Sequence, residues 1–308
     1  MKYTFLMPAY KASFLRDAIQ SLLNQTYRDF QLIVSDDCSP EGLKEIVDEF
    51  DDERIIYRRN LKNTGAEQLI EHWNLLLGLA DTEYVVLSPD DDMYSPTFLE
   101  EIDKLTIKYP AVNILKSRSQ LVNAEGEPFK KDMLYEEVIS QFENIYHQAL
   151  GNHISGIGNY VFKNEALRGI GGFVYYPYAW WSDVMTTIKL SNNGMAVTRE
   201  ILFHFRQSDQ NISSTNSKLS ERRAKANATF KFYEESNDIL SNIPIRTLYE
   251  QKCKDAWNWY MQGWRWYSLK EAAKSYKLKE IHNIMKANRD IFSSKYYKYV
   301  FFKLWLLP

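Results

Sequence analysis

The stretch Tyr84-Val-Val-Leu-Ser-Pro-Asp-Asp-Asp-Met-Tyr-Ser-Pro96 runs an apolar segment directly into three adjacent carboxylates. A short apolar run bounded by turn residues reads as a buried strand. Neighbouring anions repel, so a fold that gathers them at a strand end commonly has a cation to place there. The same residues also read as a helix start, with Asp92 or Ser95 as N-cap and Pro96 in the first turn of a helix through Phe98-Leu-Glu-Glu-Ile102. That reading uses one acid or two and leaves the third without a reason.

Working outward, strand and helix patterns alternate. Tyr3–Met7, Phe30–Ser35, Arg54–Tyr57 and Tyr84–Leu87 read as strands. Ala12–Asn24 repeats Leu15, Ala18, Ile19, Leu22 and Leu23 at helical spacing, and Glu41–Phe50 and Glu67–Leu79 also read as helices. This order specifies an α/β fold with a mostly parallel sheet and helices on both faces. Ligands on such sheets lie beyond the carboxyl ends of strands. Pro8-Ala-Tyr10, Asp36-Asp37 and Asp90-Asp91-Asp92 all follow predicted strands, so one crevice collects them. Neither a G-x-G-x-x-G nor a G-x-x-x-x-G-K-[ST] pattern is present, which argues against a dinucleotide fingerprint and a P-loop. Further on, Val112–Ser117, Tyr160–Phe162 and Ala196–Phe205 read as strands, Tyr135–Leu150 as a helix, and Trp181–Asn192 as a helix stopped by Asn193-Gly194. After a polar loop at 208–217 the remainder reads as helical.

A chain of 308 residues with 45% hydrophobic content supports a substantial core. Cys38 and Cys253 sit in no metal-ligand spacing, which fits a reducing, cytoplasmic setting, and the amino terminus carries no signal-peptide pattern. The net charge of −2 hides an asymmetry: residues 217–308 hold 18 Lys and Arg against 9 Asp and Glu, and the rest holds 20 against 31. The expected division is a catalytic domain at 1–215 and a basic, aromatic-rich helical region at 216–308.

In their order and spacing, the motifs of residues 1–215 resemble the nucleotide-sugar-dependent glycosyltransferases of the GT-A fold, family 2. Met7-Pro-Ala-Tyr10 resembles the family's opening I-P-x-Y, which implies that Pro8, Ala9 and Tyr10 border the nucleotide base. Ser35-Asp-Asp-Cys-Ser-Pro40 resembles V-D-D-G-S, implying that Asp36 and Asp37 meet base and ribose; an Asx-turn capping the next helix also accounts for one of them, and Cys38 stands where the family has glycine. Asn63-Thr-Gly65 with Trp73-Asn74 resembles the next marker, Gly65 being either part of the donor site or a plain turn. The aspartates resemble D-x-D-D followed by three residues and Pro. Aligning Pro96 with that proline makes Asp91 the second acid and puts Pro89 at the first, so Asp90 supplies a shifted carboxylate or the site relies on Asp91. The resemblance implies a divalent metal, Mn²⁺ or Mg²⁺, on Asp91 with Asp90 and Asp92, bridging to the donor diphosphate.

Gly156-Ile-Gly-Asn-Tyr-Val-Phe-Lys163 and Ile170-Gly-Gly-Phe173 resemble the acceptor-side segment, whose glycines would let backbone approach the donor sugar. Trp180-Trp-Ser-Asp183 falls at the family's E-D, implying Asp183 as general base, with a helix N-cap at Ser182 or Asp183 as the alternative. His204-Phe-Arg206 and Asn211-Ile-Ser213 resemble Y-R-x-H…S, implying that Arg206 contacts the diphosphate; Ser208 replaces the family's histidine, and His204 reads as a packed histidine.

The resemblance thus implies a metal-dependent, inverting transfer of a sugar from a nucleoside diphosphate donor, a UDP-sugar foremost, to a hydroxyl of a glycan or lipid-linked acceptor in cell-envelope polysaccharide synthesis. A sugar nucleotidyltransferase and a non-catalytic nucleotide-sugar-binding protein are the competing readings. The aromatic clusters Trp257-Asn-Trp-Tyr260, Trp264-Arg-Trp-Tyr267 and Tyr296–Trp305 either pack as a helical layer or lie on an anionic membrane at its inner face. No RNA-binding signature accompanies them, so nucleic acid is not an expected partner.

Overall fold

The computed structural model describes residues 1–208, 218–293 and 295–306; Asn211 and Ser213 of the expected terminal motif lie outside the described residues. The first half follows the alternation: β1 (Tyr3–Ala9), α1 (Leu15–Leu23), β2 (Phe30–Asp36), α2 (Leu43–Val47), β3 (Ile55–Arg59), α3 (Leu69–Leu79) and β4 (Tyr84–Leu87). There follow β5 (Met93–Tyr94), α4 (Phe98–Lys108), β6 (Ile114–Val122), β7 (Pro128–Lys131), β8 (Val138–Ile139), α5 (Gln141–Ala149), β9 (Tyr160–Lys163), α6 (Asn164–Gly169), α7 (Ser182–Leu190) and β10 (Met195–Arg206). Helices α8 (Leu219–Ser241), α9 (Leu248–Ala272), α10 (Leu278–Ala287) and α11 (Lys295–Leu306) complete the chain.

Strand β6 extends to Val122, and β5, β7, β8 and α6 are absent from the sequence reading; three further differences each have a local reason. Helix α5 begins at Gln141, not Tyr135, because Ser140 and Glu143 form a reciprocal capping box and Val138-Ile139 pair with β10 instead. Helix α2 spans only Leu43–Val47 and follows Gly42 at φ 65. Helix α4 follows Thr97, so neither Asp92 nor Ser95 caps it.

The sheet runs β3-β2-β1-β4-β9-β6-β10-β5, with β7 on β6 and β8 on β10. Strands β1 to β4 are parallel, β9 runs antiparallel between β4 and β6, and β10 lies parallel to β6. Two antiparallel steps restore direction, so β6 and β10 point the same way as β1 and β4. Register then sets the rim: Ala9 is opposite Asp36, Leu6 opposite Leu87, and Arg206 opposite Val122. The segments beginning at Tyr10, Asp37, Ser88 and Gln207 therefore all leave the sheet at one edge.

Both faces of the sheet are buried, as continuous apolar strands require. Phe5, Leu32 and Val86 pack with α1 and α4 on one side, and Leu6, Ile33 and Val85 with α3 on the other. A third core joins α5 and α7 to α8 and α9, where Trp181 stacks on Phe232 at a centroid distance of 4.7 Å and Trp257 is fully buried. Among the described residues, no helix is long and apolar enough to cross a membrane.

Candidate active site

The carboxyl edge of the sheet is organised by its acids, and they do not share one job. Asp90 Oδ2 accepts the main-chain N–H groups of Tyr10 (2.8 Å) and Lys11 (3.0 Å), which ties the end of β1 to the turn after β4. Burial raises its pKa, against the pull of those two N–H groups and the Lys11 charge. Asp92 is buried; its Oδ1 accepts the N–H of Arg206 at 2.8 Å and its Oδ2 has no hydrogen-bond partner. Asp91 lies between them, half-buried, its carboxyl pushed up to about 6 by burial and by Asp90, with Lys11 and Arg206 opposing.

The aspartate pair after β2 divides in the same way. Asp36 is fully buried and accepts from Ser39 N (2.7 Å), Tyr57 Oη (2.7 Å) and the Arg59 guanidinium. This carboxylate shapes the loop, in place of the expected nucleoside contact. Asp37 accepts from Asn60 Nδ2 (2.8 Å) and from the Thr64 hydroxyl (2.7 Å), drawing the 60–64 loop, with Gly65 at φ 77 beside it, toward the rim. Burial pushes the Asp37 carboxyl up, but the Asn60 and Thr64 bonds outweigh it and hold it below the usual range. Cys38 sits at φ 57, the left-handed backbone that explains glycine at this place in the family.

Arg206 does not reach outward to a diphosphate as expected. Its side chain is buried, donating to the carbonyls of Asp91 (Nε, 3.0 Å) and Ala124 and lying 4.3 Å over the Phe14 ring, so it braces the aspartate loop from beneath. His204 bonds Ser95 Oγ (2.9 Å) and Gln120 Nε2 (2.8 Å), a packed and satisfied histidine.

The glycines expected beside the donor sugar also serve the scaffold. A Cβ on Gly158 would stand 2.8 Å from Phe203 and 2.9 Å from Pro89, so the Gly156–Gly158 turn packs directly on the aspartate turn. Gly172, at φ 89, abuts Asn74, whose carboxamide binds both main-chain groups of Phe173.

Asp183 occupies the first turn of α7, half-buried, with Oδ1 accepting from Val184 N at 2.8 Å. Burial pushes its carboxyl up to about 6, with main-chain N–H groups opposing. Burial raises the Tyr160 and Tyr260 phenols, and the Asp183 charge adds to both. Tyr160 is two residues past Gly158, which packs on Phe203 and on Pro89 at the start of the aspartate turn. Just upstream, Tyr178, Ala179 and Trp181 have φ of 61, 53 and 76, a concentration of strained backbone typical of functional sites. Ser182 accepts the Tyr176 N–H at 3.2 Å and steadies that turn. Lys11 escaped the sequence reading as a site residue, while Asn74 entered it only as part of a marker and Tyr260 only as part of an aromatic cluster; the tertiary contacts give each its place.

Among the described residues, no group of three acidic, histidine or cysteine side chains is arranged to hold a metal, so the expected set of Asp90, Asp91 and Asp92 is not formed: two of the three are turned onto main-chain N–H groups. The donor chemistry nonetheless fits a hard divalent ion. Asp92 keeps an unpartnered buried oxygen, burial and the neighbouring Asp90 make Asp91 resist ionisation, and Mg²⁺-type sites need only one or two carboxylates when substrate phosphates supply the rest.

The family model "Glycosyl transferase family 2" matches residues 4–171. The teichuronic acid biosynthesis glycosyltransferase TuaG of Bacillus subtilis is 25% identical over 70% of this chain and 83% of its own length. Glycosyltransferase GlyA of Streptococcus pneumoniae is 29% identical over 47% of the chain, a match that spans 22% of GlyA. S. aureus TarS 1-349 in complex with UDP-GlcNAc superposes with a TM-score of 0.67 at 16% identity, over 94% of this chain and 80% of TarS 1-349. The mannosyltransferase PcManGT of Pyrobaculum calidifontis, in complex with GDP-Man and Mn²⁺, gives 0.57 at 15% identity over 98% and 84%. A sheet with its acids on one rim, a GT-A-like architecture and a family match across more than half its length place this chain in glycosyl transferase family 2.

Proposed function

We propose that this protein transfers a sugar, with inversion, from a nucleoside diphosphate donor to a hydroxyl of a glycan or lipid-linked acceptor. The observation that carries the proposal is Asp183: a carboxyl pushed up to about 6 in the first turn of α7, whose charge acts on Tyr160, two residues past the glycine that packs on the aspartate turn. A base poised near neutrality can hold the acceptor hydroxyl's hydrogen bond in the ground state and take its proton as the bond to the anomeric carbon forms. The C–O bond to the diphosphate breaks on the opposite side, and the electron pair leaves with the nucleoside diphosphate.

Asp91, with Asp92 behind it, would hold Mn²⁺ or Mg²⁺, which when bound neutralises charge on the leaving diphosphate. Pro8, Ala9, Tyr10 and Asp37 would border the nucleoside, with Gly65 turning the loop that Asp37 holds. UDP is the favoured carrier by analogy with TarS, and envelope polysaccharide the favoured pathway class by analogy with TuaG. The enzyme would work in the cytoplasm at the inner face of the membrane, the C-terminal helices giving peripheral contact.

Incubating the purified chain with a panel of nucleotide sugars, with and without Mn²⁺, tests this. Nucleoside diphosphate release, stimulated by metal and lost in Asp183→Asn, supports it. Pyrophosphate release would favour nucleotidyl transfer, and nucleotide-sugar binding without turnover would favour a binding protein.

A further inference from the structure

Helix α10, the turn after it and the start of α11 enclose a groove of about 990 Å³, set apart from the Asp91–Asp183 rim. Ile281, Met285 and Phe292 line it with apolar surface and belong to the fourth core of the molecule. Lys279, Lys286, Arg289 and Lys298 surround that surface, all exposed. Residues 277–306 contain two acids, Glu280 and Asp290, and both are engaged elsewhere: Glu280 with Arg223 at 2.6 Å and Asp290 with Arg265. Among the described residues none of the four rim cations is in an ion pair. Exposed, uncompensated cations around an apolar floor have an evident complement.

We infer that this groove is a docking site for the surface of a bilayer containing anionic phospholipid, with lipid phosphates against the four cations and the upper acyl region against the half-exposed Met285, which Ile281 and Phe292 support from beneath. Each cation near such a surface adds to binding, and an apolar floor beneath distinguishes interfacial seating from loose attraction. The neighbouring surface agrees, for Tyr299 and Leu306 leave apolar area exposed on the helix that carries Lys298. Phe292 is buried to 2% exposure, so the groove offers no open ring for a nucleic-acid base to stack on.

The groove is coupled to the acceptor side of the catalytic rim through α8. Lys225 lies 5.0 Å over the Trp180 ring, three residues before Asp183, and its neighbour Ala226 is buried in the core that carries the groove. Seating the groove on a membrane would hold the rim at a constant height above it, which suits a lipid-linked acceptor. The inference rests on the peripheral contact proposed above and does not depend on the identity of the sugar or on catalysis.

Vesicle flotation of the full chain tests it, comparing pure phosphatidylcholine with vesicles containing about 30 mol% phosphatidylglycerol. The wild type is expected to float only with the anionic vesicles. A triple variant, Lys286→Glu, Arg289→Glu and Lys298→Glu, should weaken binding at least about tenfold, since each cation contributes roughly one unit of surface attraction. A control of equal charge change outside the groove, Lys130→Glu, Lys131→Glu and Lys252→Glu, all exposed positions, should stay within about twofold. Donor hydrolysis by both variants verifies folding.

Equal loss in the two triples, or none in the groove triple, overturns the groove while leaving peripheral contact intact. A wild type that floats with neither vesicle overturns the contact itself, and full displacement by free glycerol phosphate assigns the site to soluble phosphates. Tighter binding to single-stranded RNA than to anionic vesicles also overturns it. None of these outcomes bears on glycosyl transfer.

Discussion

Asn74 and Phe173, 99 residues apart, exchange two hydrogen bonds: Phe173 N–H donates to Asn74 Oδ1 at 2.8 Å, and Asn74 Nδ2 donates to the Phe173 carbonyl at 3.0 Å. The Trp73 ring meets the Phe173 ring edge-on at 5.6 Å. Two sequence markers that looked separate are thus one joint between α3 and the turn leading to Asp183. Replacing Asn74 by Leu should leave a main-chain N–H and a carbonyl without partners and cost about 2–3 kcal/mol. Asn74→Asp keeps only the acceptor and should be intermediate. Denaturant titration measures both, and a cost below about 0.5 kcal/mol for Asn74→Leu would show the joint to be incidental.

Asp183 should set the acid limb of the pH–rate profile. The base works ionised, so kcat should rise as pH increases through about 6, and Asp183→Asn should lower kcat by about 10²–10⁴ with donor affinity retained. Stability has the opposite sign. A carboxyl raised from 3.8 to about 6 favours the folded state fully below pH 3.8 and loses that contribution as pH rises through about 6. Asp183→Asn should therefore be more stable than wild type at pH 7.5, by about 1–3 kcal/mol, and indistinguishable below pH 4. Melting curves at the two pH values, set beside single-turnover rates, check both signs.

His153 supplies the complementary limb. It is buried with neither ring nitrogen hydrogen-bonded, stacked on His147 at 5.7 Å, and its pKa is held well below 6.5 by burial, by Lys116 and by His147. The unfolded chain takes up the proton that the folded one refuses, so stability should fall as pH drops below about 6.5. His153→Phe fills similar volume without a proton site and should flatten the decline between pH 6.5 and 5; an unchanged slope would exonerate His153.

Asp91→Ala should abolish the thermal shift that Mn²⁺ and a nucleotide sugar produce together, while the shift from the nucleoside alone persists. The mechanism is specific, since Asp90 is engaged by two main-chain N–H groups and Asp92 has a single unpartnered, buried oxygen to offer. Isothermal titration in the presence and absence of metal measures the difference, and metal-dependent binding that survives Asp91→Ala would move the site to Asp92.

Arg206→Lys separates bracing from ligand binding. A lysine cannot reproduce bonds to two carbonyls together with stacking on Phe14, so the variant should lose about 2–4 kcal/mol of stability. An unchanged melting temperature with a raised donor KM would restore the diphosphate role.

The order of strands and helices was legible because each element declares itself locally, by apolar spacing in α1 or by an unbroken apolar run in β4. The strand ends that bear the acids were legible for the same reason. Which acid does what was not, since Asp36 and Asp37 are adjacent and chemically identical, yet one faces Arg59 and Tyr57 and the other Asn60 and Thr64. Tyr135–Leu150 misled because its helical spacing says nothing of the capping box at Ser140 or of the strand pairing available to Val138.

By itself, then, the chain's sequence determined the sheet, its acidic carboxyl edge and the family to which those motifs belong, because periodicity and turn chemistry act over a few residues. Only the tertiary structure decided that Asp90 and Arg206 brace, that Asp91 and Asp183 remain as the carboxyls near neutrality, and that Asn74 joins two distant turns. Burial and hydrogen-bond partners assign those roles, and both come from residues up to a hundred or more positions away.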